Sequence, residues 1–530
     1  MVSPTTRSAL WAAWGDALGF PTELTRDGND VQRRLATQRS EETQPWTRRI
    51  GGRMGPSVPL PAGTYSDDTQ LRLAVGRCLR SAGRFDVEVF SKIELPIFLS
   101  YGLGVGRGTR AAAHALEKRG VRWYSNFFSD RTSRYVDGGG NGAAMRIQPH
   151  VWASASFKPE SYLLNVVCDC VTTHGHPRAL VGATLHALSL GATLGQGVVP
   201  EPARWRAMAR YLQQLPELVQ SDETLAQRWV PEWGRTAGEE WHVAFERAVS
   251  ECEQLLRIAA SSPPERSLAA SYARVAEKIG GLDPATRGSG TVCAVLALWL
   301  ALAGGKDAAG TLRVAANLLG SDTDTVASMV GALIGVAAMD EPEGALVNRD
   351  LIRDEALRLE RMKTEPTTES FPHPDPLRWQ PPRTLSDAVG LIDDRIAVAG
   401  LGPGKEESEL YPSRGRDEAS WQWLQLDYGQ SVLVKRRREL TALPDYARPR
   451  VRPVLASPIQ LRLAEPSGNV DLPEFVEDGV EFARSHAFAP EVVAQLLFHY
   501  AKQPHGVSKS SLFGGLIAQE LARHASDDKR

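Results

Sequence analysis

Two short acidic runs carry the clearest chemistry in this chain: Ser66-Asp67-Asp68-Thr69 and, far downstream, Asp322-Thr323-Asp324-Thr325. Each follows a turn-prone stretch (Pro61-Ala62-Gly63 and Leu319-Gly320-Ser321) and opens into an apolar segment of helical period. One carboxylate at a helix start is ordinary, because it caps free N–H groups and suits the positive end of the helix dipole. Two carboxylates flanked by hydroxyls, occurring twice, call for more. If both turns meet in space, four carboxylates crowd one site and repel each other unless cations neutralise them. Oxygen-only donors (Asp, Ser, Thr, water) suit Mg²⁺, Mn²⁺ or Ca²⁺ rather than zinc or copper. The two runs therefore read as halves of a binuclear hard-metal site.

Three further stretches have a plausible chemical use and a blander one. Gly15-Asp16-Ala17-Leu18-Gly19 ends the first helical segment, with Glu23 on the loop just beyond it. Alone this is a common helix stop, Gly followed by Pro21. Asp137-Gly138-Gly139-Gly140-Asn141-Gly142-Ala143-Ala144-Met145-Arg146 places consecutive glycines before small residues. Such a loop exposes N–H groups to an anion such as a diphosphate, or is simply flexible. Thr173-His174-Gly175-His176-Pro177 holds a His pair, which fits helix-start capping better than metal ligation.

The elements that must position these residues are helical. Segments 7–18, 69–81, 111–118, 159–173, 177–194, 241–258, 290–302, 308–318 and 325–339 all carry the helical period, and strand signals are scarce before residue 360. Residues 364–383 contain Pro366, Pro372, Pro374, Pro376, Pro381 and Pro382, which predict a linker or extended strap. Beyond it, 420–427 and 431–435 alternate as strands around Tyr428-Gly429-Gln430, while 491–501 and 512–524 read as helices. The predicted layout is an all-α orthogonal helical domain over 1–363, a Pro-rich linker over 364–383, and a smaller α+β C-terminal domain over 384–530. Lys435-Arg436-Arg437-Arg438 is a basic run, read as a solvated strand end or a docking surface for an acidic partner.

Composition excludes several classes. The chain of 530 residues is 42% hydrophobic and 23% charged, as expected of a soluble protein with a large core. A net charge of −2 leaves no electrostatic footprint for nucleic acid or an anionic membrane, although a local basic patch is compatible with it. Cys78, Cys168, Cys170, Cys252 and Cys293 fall mostly in apolar helical stretches and read as reduced core residues. The N-terminus has Asp16 within its apolar stretch, unlike a signal peptide, and the longest apolar run, 291–303, is too short to span a bilayer. These features predict a cytoplasmic protein.

In this order, the motifs resemble the ADP-ribosylglycohydrolase family, relatives of the dinitrogenase reductase-activating glycohydrolase. The resemblance spans about residues 7 to 345 and runs from Gly15–Gly19 and Glu23 through Ser66–Thr69, Gly140–Arg146 and Thr173–Pro177 to Gly320–Ala327. It implies an all-α domain with two Mg²⁺ or Mn²⁺ ions in a cleft, removing ADP-ribose from modified acceptors, most often protein side chains such as arginine. Residue by residue, it implies Ser66, Asp67 and Asp68 on one metal, Asp324 bridging, and Asp322 and Thr325 completing the second metal's shell. Glu23, with Asp68 and Asp322, would serve catalysis. Gly140, Asn141, Gly142 and Ser321 would lie against the ADP-ribose moiety. Ser66 stands where the family usually has Thr, and Ser321 where it usually has Gly, which adds a side chain at a tight turn.

A protein that only binds ADP-ribosylated ligands, or neutralises a toxin, could use the same scaffold. The four retained aspartates favour the enzyme. The C-terminal segment carries no catalytic motif, and a docking role toward a protein partner is the remaining expectation for it.

Overall fold

Helix α1 (Pro4–Gly19) organises the fold of the computed structural model, which describes residues 2–52, 54–131, 133–365, 370–413, 419–450, 476–503 and 505–527. Ser3 caps its start by accepting the Thr6 N–H at 3.1 Å, with Pro4 at the first helical position. From Thr5 onward nearly every residue of α1 is buried, so the helix is surrounded on all sides. A short antiparallel hairpin, β1 (Trp46–Arg49) and β2 (Ser57–Leu60), follows. Then come α2 (Asp67–Arg77), α3 (Arg107–Leu116), α4 (Pro177–Gln196), α5 (Gly290–Gly304), α6 (Thr323–Ala337) and α7 (Arg349–Arg361), among other helices.

Helix α1 packs backbone to backbone against α6. A Cβ added at Gly15 would sit 2.5 Å from the Ala327 carbonyl oxygen, and one at Gly19 equally near that of Thr323. Gly331 meets the backbone of Trp11 in the same way. The two backbones therefore touch, and the end of α1 is locked against the start of α6. That contact decides where the second acidic turn lies.

Past the helices, five strands form an antiparallel sheet: β3 (Val389–Ile392), β4 (Arg395–Val398), β5 (Gly402–Glu406), β7 (Ala419–Leu426) and β8 (Ser431–Arg437), in spatial order β8-β7-β5-β4-β3. Short β6 (Tyr411–Pro412) pairs with β7, and Leu433 lies opposite Trp423 in the β7–β8 register. The chain after β8 returns to β3: the Leu391 N–H donates to the Thr441 carbonyl at 2.9 Å and the Leu443 N–H to that of Leu391 at 2.8 Å. The sheet thus curls toward closure.

The proline-rich stretch is not where the compact units divide. One unit runs Met1–Val451 and a second Arg452–Arg530. Residues 370–383 are a strap pinned into the first unit, while Pro366 to Glu369 lie outside the described residues. His373 Nε2 lies 2.7 Å from Glu94 Oε1, and Glu94 takes two hydrogen bonds from Arg77 at 2.7 and 2.8 Å. Arg77 also donates to Gln430 Oε1 at 2.7 Å, and its guanidinium lies 5.5 Å from the rings of Phe371 and Tyr428. Helices, strap and sheet share this buried cation, which is why the sheet belongs with the helical body rather than with the C-terminal helices. Against the upward push of burial, Arg77 and His373 hold the Glu94 carboxyl down at about 2. Glu94→Gln would strand the buried Arg77 charge; the expected loss is about 3–5 kcal/mol in urea unfolding.

The described part of the second unit is α8 (Val476–Ser485), α9 (Pro490–Ala501) and α10 (Gly506–Asp527), packed around Val480, Leu496, Tyr500 and Phe513. The strands and helices read from the sequence as one α+β domain are thus divided between two units. All five cysteines are free and buried. No described helix is long and apolar enough to cross a membrane.

Candidate active site

Both acidic turns are helix starts, and α1 positions both. Ser66 is the N-cap of α2, its Oγ accepting the Asp68 N–H at 3.2 Å. The buried Asp16 carboxylate reaches across from α1 and accepts the Ser66 N–H and Thr69 N–H at 2.9 Å each, and the Thr69 hydroxyl at 2.6 Å. At the other turn, Asp322 precedes α6 with Asp324 in its first turn. Thr323 Oγ1 donates to the Gly19 carbonyl at 3.1 Å, and Thr22 Oγ1 bonds Thr323 Oγ1 at the same distance. Sequence reasoning assigned Asp16 no role, although a carboxylate in the otherwise apolar stretch after Ser8 was the available signal. Asp16→Ala removes the acceptor of three buried donors and is expected to cost about 3 kcal/mol or more in denaturant unfolding.

The turns meet. Thr325 Oγ1 donates to Asp68 Oδ1 at 3.3 Å, and the Thr325 N–H donates to Asp324 Oδ1 at 2.9 Å. Glu23, Asp67, Asp68, Asp322, Asp324 and Thr325 all line one cleft of about 540 Å³. Glu23 follows the 3₁₀ turn Phe20–Thr22 and is half-buried. Burial, then the Asp322 carboxylate, push its carboxyl up to about 7 against the pull of Arg48 and Arg34. Burial, Glu23 and Asp16 raise Asp67 to about 8. Asp68 and Asp324 lie well above the usual carboxylate range, through burial first and neighbouring carboxylates second.

The glycine loop closes the opposite wall. Gly140 bridges Ser289, and the Asn141 N–H donates to the Gly288 carbonyl at 2.9 Å, tying the loop to the entry of α5. The Asn141 side chain points at the acidic turn: its Nδ2 donates to Asp322 Oδ2 at 2.9 Å and to Cys293 Sγ at 3.2 Å. Gly140 and Gly142 also line the cleft, and a Cβ at Gly142 would meet His174 at 2.8 Å. His174 and His176 stand along the same wall. Burial, then Arg146, push the His174 imidazole down to about 3, and His176 Nδ1 caps α4 by accepting the Arg178 N–H at 3.1 Å. The capping reading of the pair thus matches the geometry of His176.

Two residues singled out from the sequence stand back from the cleft. Ser66 is buried behind Asp68, its hydroxyl engaged in the cap. Ser321 is buried, and its hydroxyl donates to the Leu318 carbonyl at 2.7 Å, so the added side chain stitches its own turn rather than facing a ligand. Sequence reasoning missed Arg48, Gly104, Arg107 and Thr109. The last three line the cleft, and Arg48 pulls Glu23 toward its charged form. They lie outside any recognisable motif.

The donor set fits hard divalent cations. Asp68 Oδ2 is buried and has no hydrogen-bond partner, and the surrounding donors are carboxylate and hydroxyl oxygens whose mutual repulsion a cation would relieve. These carboxylates line the cleft without three of them converging within 4.8 Å. Among the described residues that closeness occurs only at Cys78, Glu94 and His373. There the Arg77 guanidinium already takes the place of a cation, so that cluster is a structural ion pair.

Comparison with known proteins shows the family of this chain. The profile of the ADP-ribosylglycohydrolase family matches residues 7–340. ADP-ribosyl-[dinitrogen reductase] glycohydrolase of Rhodospirillum rubrum is 31% identical over 170 residues, 32% of this chain and 50% of that protein, so the chain spans about half the length of this curated relative. A solved structure titled ADP-ribosylglycohydrolase-related protein complex aligns with 68% of this chain and 99% of its own, at 22% identity and a TM-score of 0.41. The profile match takes in both acidic turns, Glu23 and the glycine loop, and the chain belongs to the ADP-ribosylglycohydrolase family.

Proposed function

We propose that this protein is a metal-dependent hydrolase that cleaves the glycosidic bond between ADP-ribose and a modified acceptor, a protein side chain such as arginine, so reversing ADP-ribosylation. The observation that carries the reading is the meeting of two acidic turns, distant in sequence, across the Thr325–Asp68 hydrogen bond in a cleft that also holds Glu23. Family membership and the relative that acts on an ADP-ribosylated protein support the same chemistry.

Asp67, Asp68, Asp322 and Asp324, with the Thr325 hydroxyl, would hold two Mg²⁺ or Mn²⁺ ions. When bound, these ions supply Lewis-acid polarisation and a charge template for the ribose hydroxyls and a water molecule. The chain's own groups do the rest. Asn141 fixes the Asp322 carboxylate, and Asp16 fixes the Ser66–Thr69 turn. Glu23, whose carboxyl burial raises in the metal-free chain, accepts a proton from water or returns one to the leaving acceptor as the ribose passes through an oxocarbenium-like transition state. The glycine loop leaves room for the backbone to approach a diphosphate.

The test is release of free ADP-ribose from ADP-ribosyl-arginine, ADP-ribosyl-serine and ADP-ribosylated DNA, each with Mg²⁺, Mn²⁺ or EDTA. Metal-dependent release from one of them establishes the activity and names the acceptor. Tight ADP-ribose binding with no release from any would instead make the chain a binding protein.

A further inference from the structure

A second cleft, of about 1230 Å³ and larger than the acidic one, lies where the strap and the edge strand β8 face the helical body. Its walls carry Lys435, Arg437 and Arg438 of the basic run noted in the sequence, with Arg383 from the end of the strap, against Glu117 and Glu439. Within the run, Arg436 is spent internally on Glu406 and Gln422, at 2.7 and 2.9 Å. Arg437 is held by Asp387 at 2.6 Å in an exposed pair. Arg383 and Arg438 are exposed and form no ion pair among the described residues. Among the described lining residues four cations stand against two carboxylates, a local positive balance that favours an anionic occupant.

Helix α3 contributes to both clefts. Arg107, Gly108 and Thr109 at the start of α3 line the acidic cleft, whereas His114 near its end and Glu117 just past it line the basic groove. At 1.5 Å per residue, these two sets of lining residues stand roughly 8–15 Å apart along the helix axis. An extended polypeptide covers that in about three to five residues, at about 3.3 Å each. The groove also offers Pro96, Leu99, Pro382 and Leu385 as apolar wall, and no Phe, Tyr or Trp among its described lining residues. Nucleic acid would call for such stacking surfaces, which a peptide of mixed acidic and apolar character does not need.

We infer that this groove binds an acidic segment of the ADP-ribosylated target polypeptide, a few residues from the modified side chain that enters the acidic cleft. The inference rests on the proposed hydrolase reading for its target, and under it the sheet outside the family match selects acidic sequence context. Arg383 and Arg438 supply charges that form no ion pair among the described residues, and the apolar wall fixes the chain between them.

The test uses the full chain and Arg383→Glu/Arg438→Glu, two exposed positions remote from the catalytic cleft. Fluorescein-labelled octaglutamate is titrated by anisotropy at low and high salt, beside a single-stranded oligonucleotide of equal charge. Hydrolysis is followed in parallel on free ADP-ribosyl-arginine and on peptides with Glu or Gln three to five residues from the modified arginine. The inference expects octaglutamate binding that weakens with salt and falls about tenfold or more in the double variant. It also expects a kcat/KM preference for the Glu peptide that the variant loses, with free ADP-ribosyl-arginine turned over equally by both proteins. Octaglutamate binding that is absent, or equal in both proteins, overturns it, as does tighter oligonucleotide binding that the variant abolishes. Failure of wild-type protein to hydrolyse free ADP-ribosyl-arginine tells against the hydrolase reading alone, because the anisotropy arm still decides the groove.

Discussion

Asp68→Asn is expected to abolish ADP-ribose release, by about a thousandfold or more, without unfolding the protein. Asp68 is the carboxylate with a buried, unpartnered oxygen, and it stands at the contact between the two acidic turns. Losing one anionic ligand of a Lewis-acid centre removes several kcal/mol of transition-state stabilisation. The same substitution should leave the metal-free chain as stable as wild type, or slightly more so. The reason is the sign of the carboxyl's shift: a folded-state pKa raised by burial and by Asp16, Asp67 and Asp322 means that the charged form opposes folding above the unfolded value. Asparagine removes that opposition and keeps an oxygen to accept from Thr325. Thermal unfolding with and without Mg²⁺ separates the two effects. Wild type should gain stability in proportion to the logarithm of ion concentration above its Kd, and the variant should show little or none of that gain. A variant with near-wild-type turnover would remove Asp68 from the metal centre.

Glu23→Gln is expected to behave oppositely in one respect: turnover falls about 100-fold or more, while most of the Mg²⁺-dependent stabilisation persists. Glu23 faces the cleft from the loop after α1. Its carboxyl, pushed up to about 7, can both take and return a proton near neutral pH. Glutamine keeps the shape and loses the proton. The loss should appear in kcat with KM nearly unchanged, since the group acts in the transition state rather than in holding substrate. A parallel loss of Mg²⁺ stabilisation would make Glu23 a ligand instead.

The acidic turns were legible because carboxylates at helix starts follow turn residues in the sequence itself, and both starts fell within a few residues of the expected positions. What brings them together was not legible. It depends on backbone contact at Gly15 and Gly19 and on Asp16 reaching from α1 to the start of α2, contacts between residues far apart in the chain. The same holds for Asn141, whose amide faces Asp322. Helix Pro202–Ser221 went unread because Pro216 lies inside it, and the β1–β2 hairpin because its strands are four residues long with Pro59 in one. Proline also explains the strap. Six prolines rule out helix, but they say nothing of whether Phe371, His373 and Trp379 find partners; here His373 and Trp379 are buried and half-buried Phe371 packs edge-on against Tyr428.

The most direct measurement is anomalous diffraction from crystals of the chain grown or soaked with Mn²⁺. The expected result is two peaks in the acidic cleft, each at about 2.1 Å from oxygens of Asp67, Asp68, Asp322 or Asp324, as hard octahedral ions require. No peak in that cleft at saturating Mn²⁺, or an ion at Cys78, Glu94 and His373 instead, would contradict the two-metal centre on which the proposed hydrolysis depends.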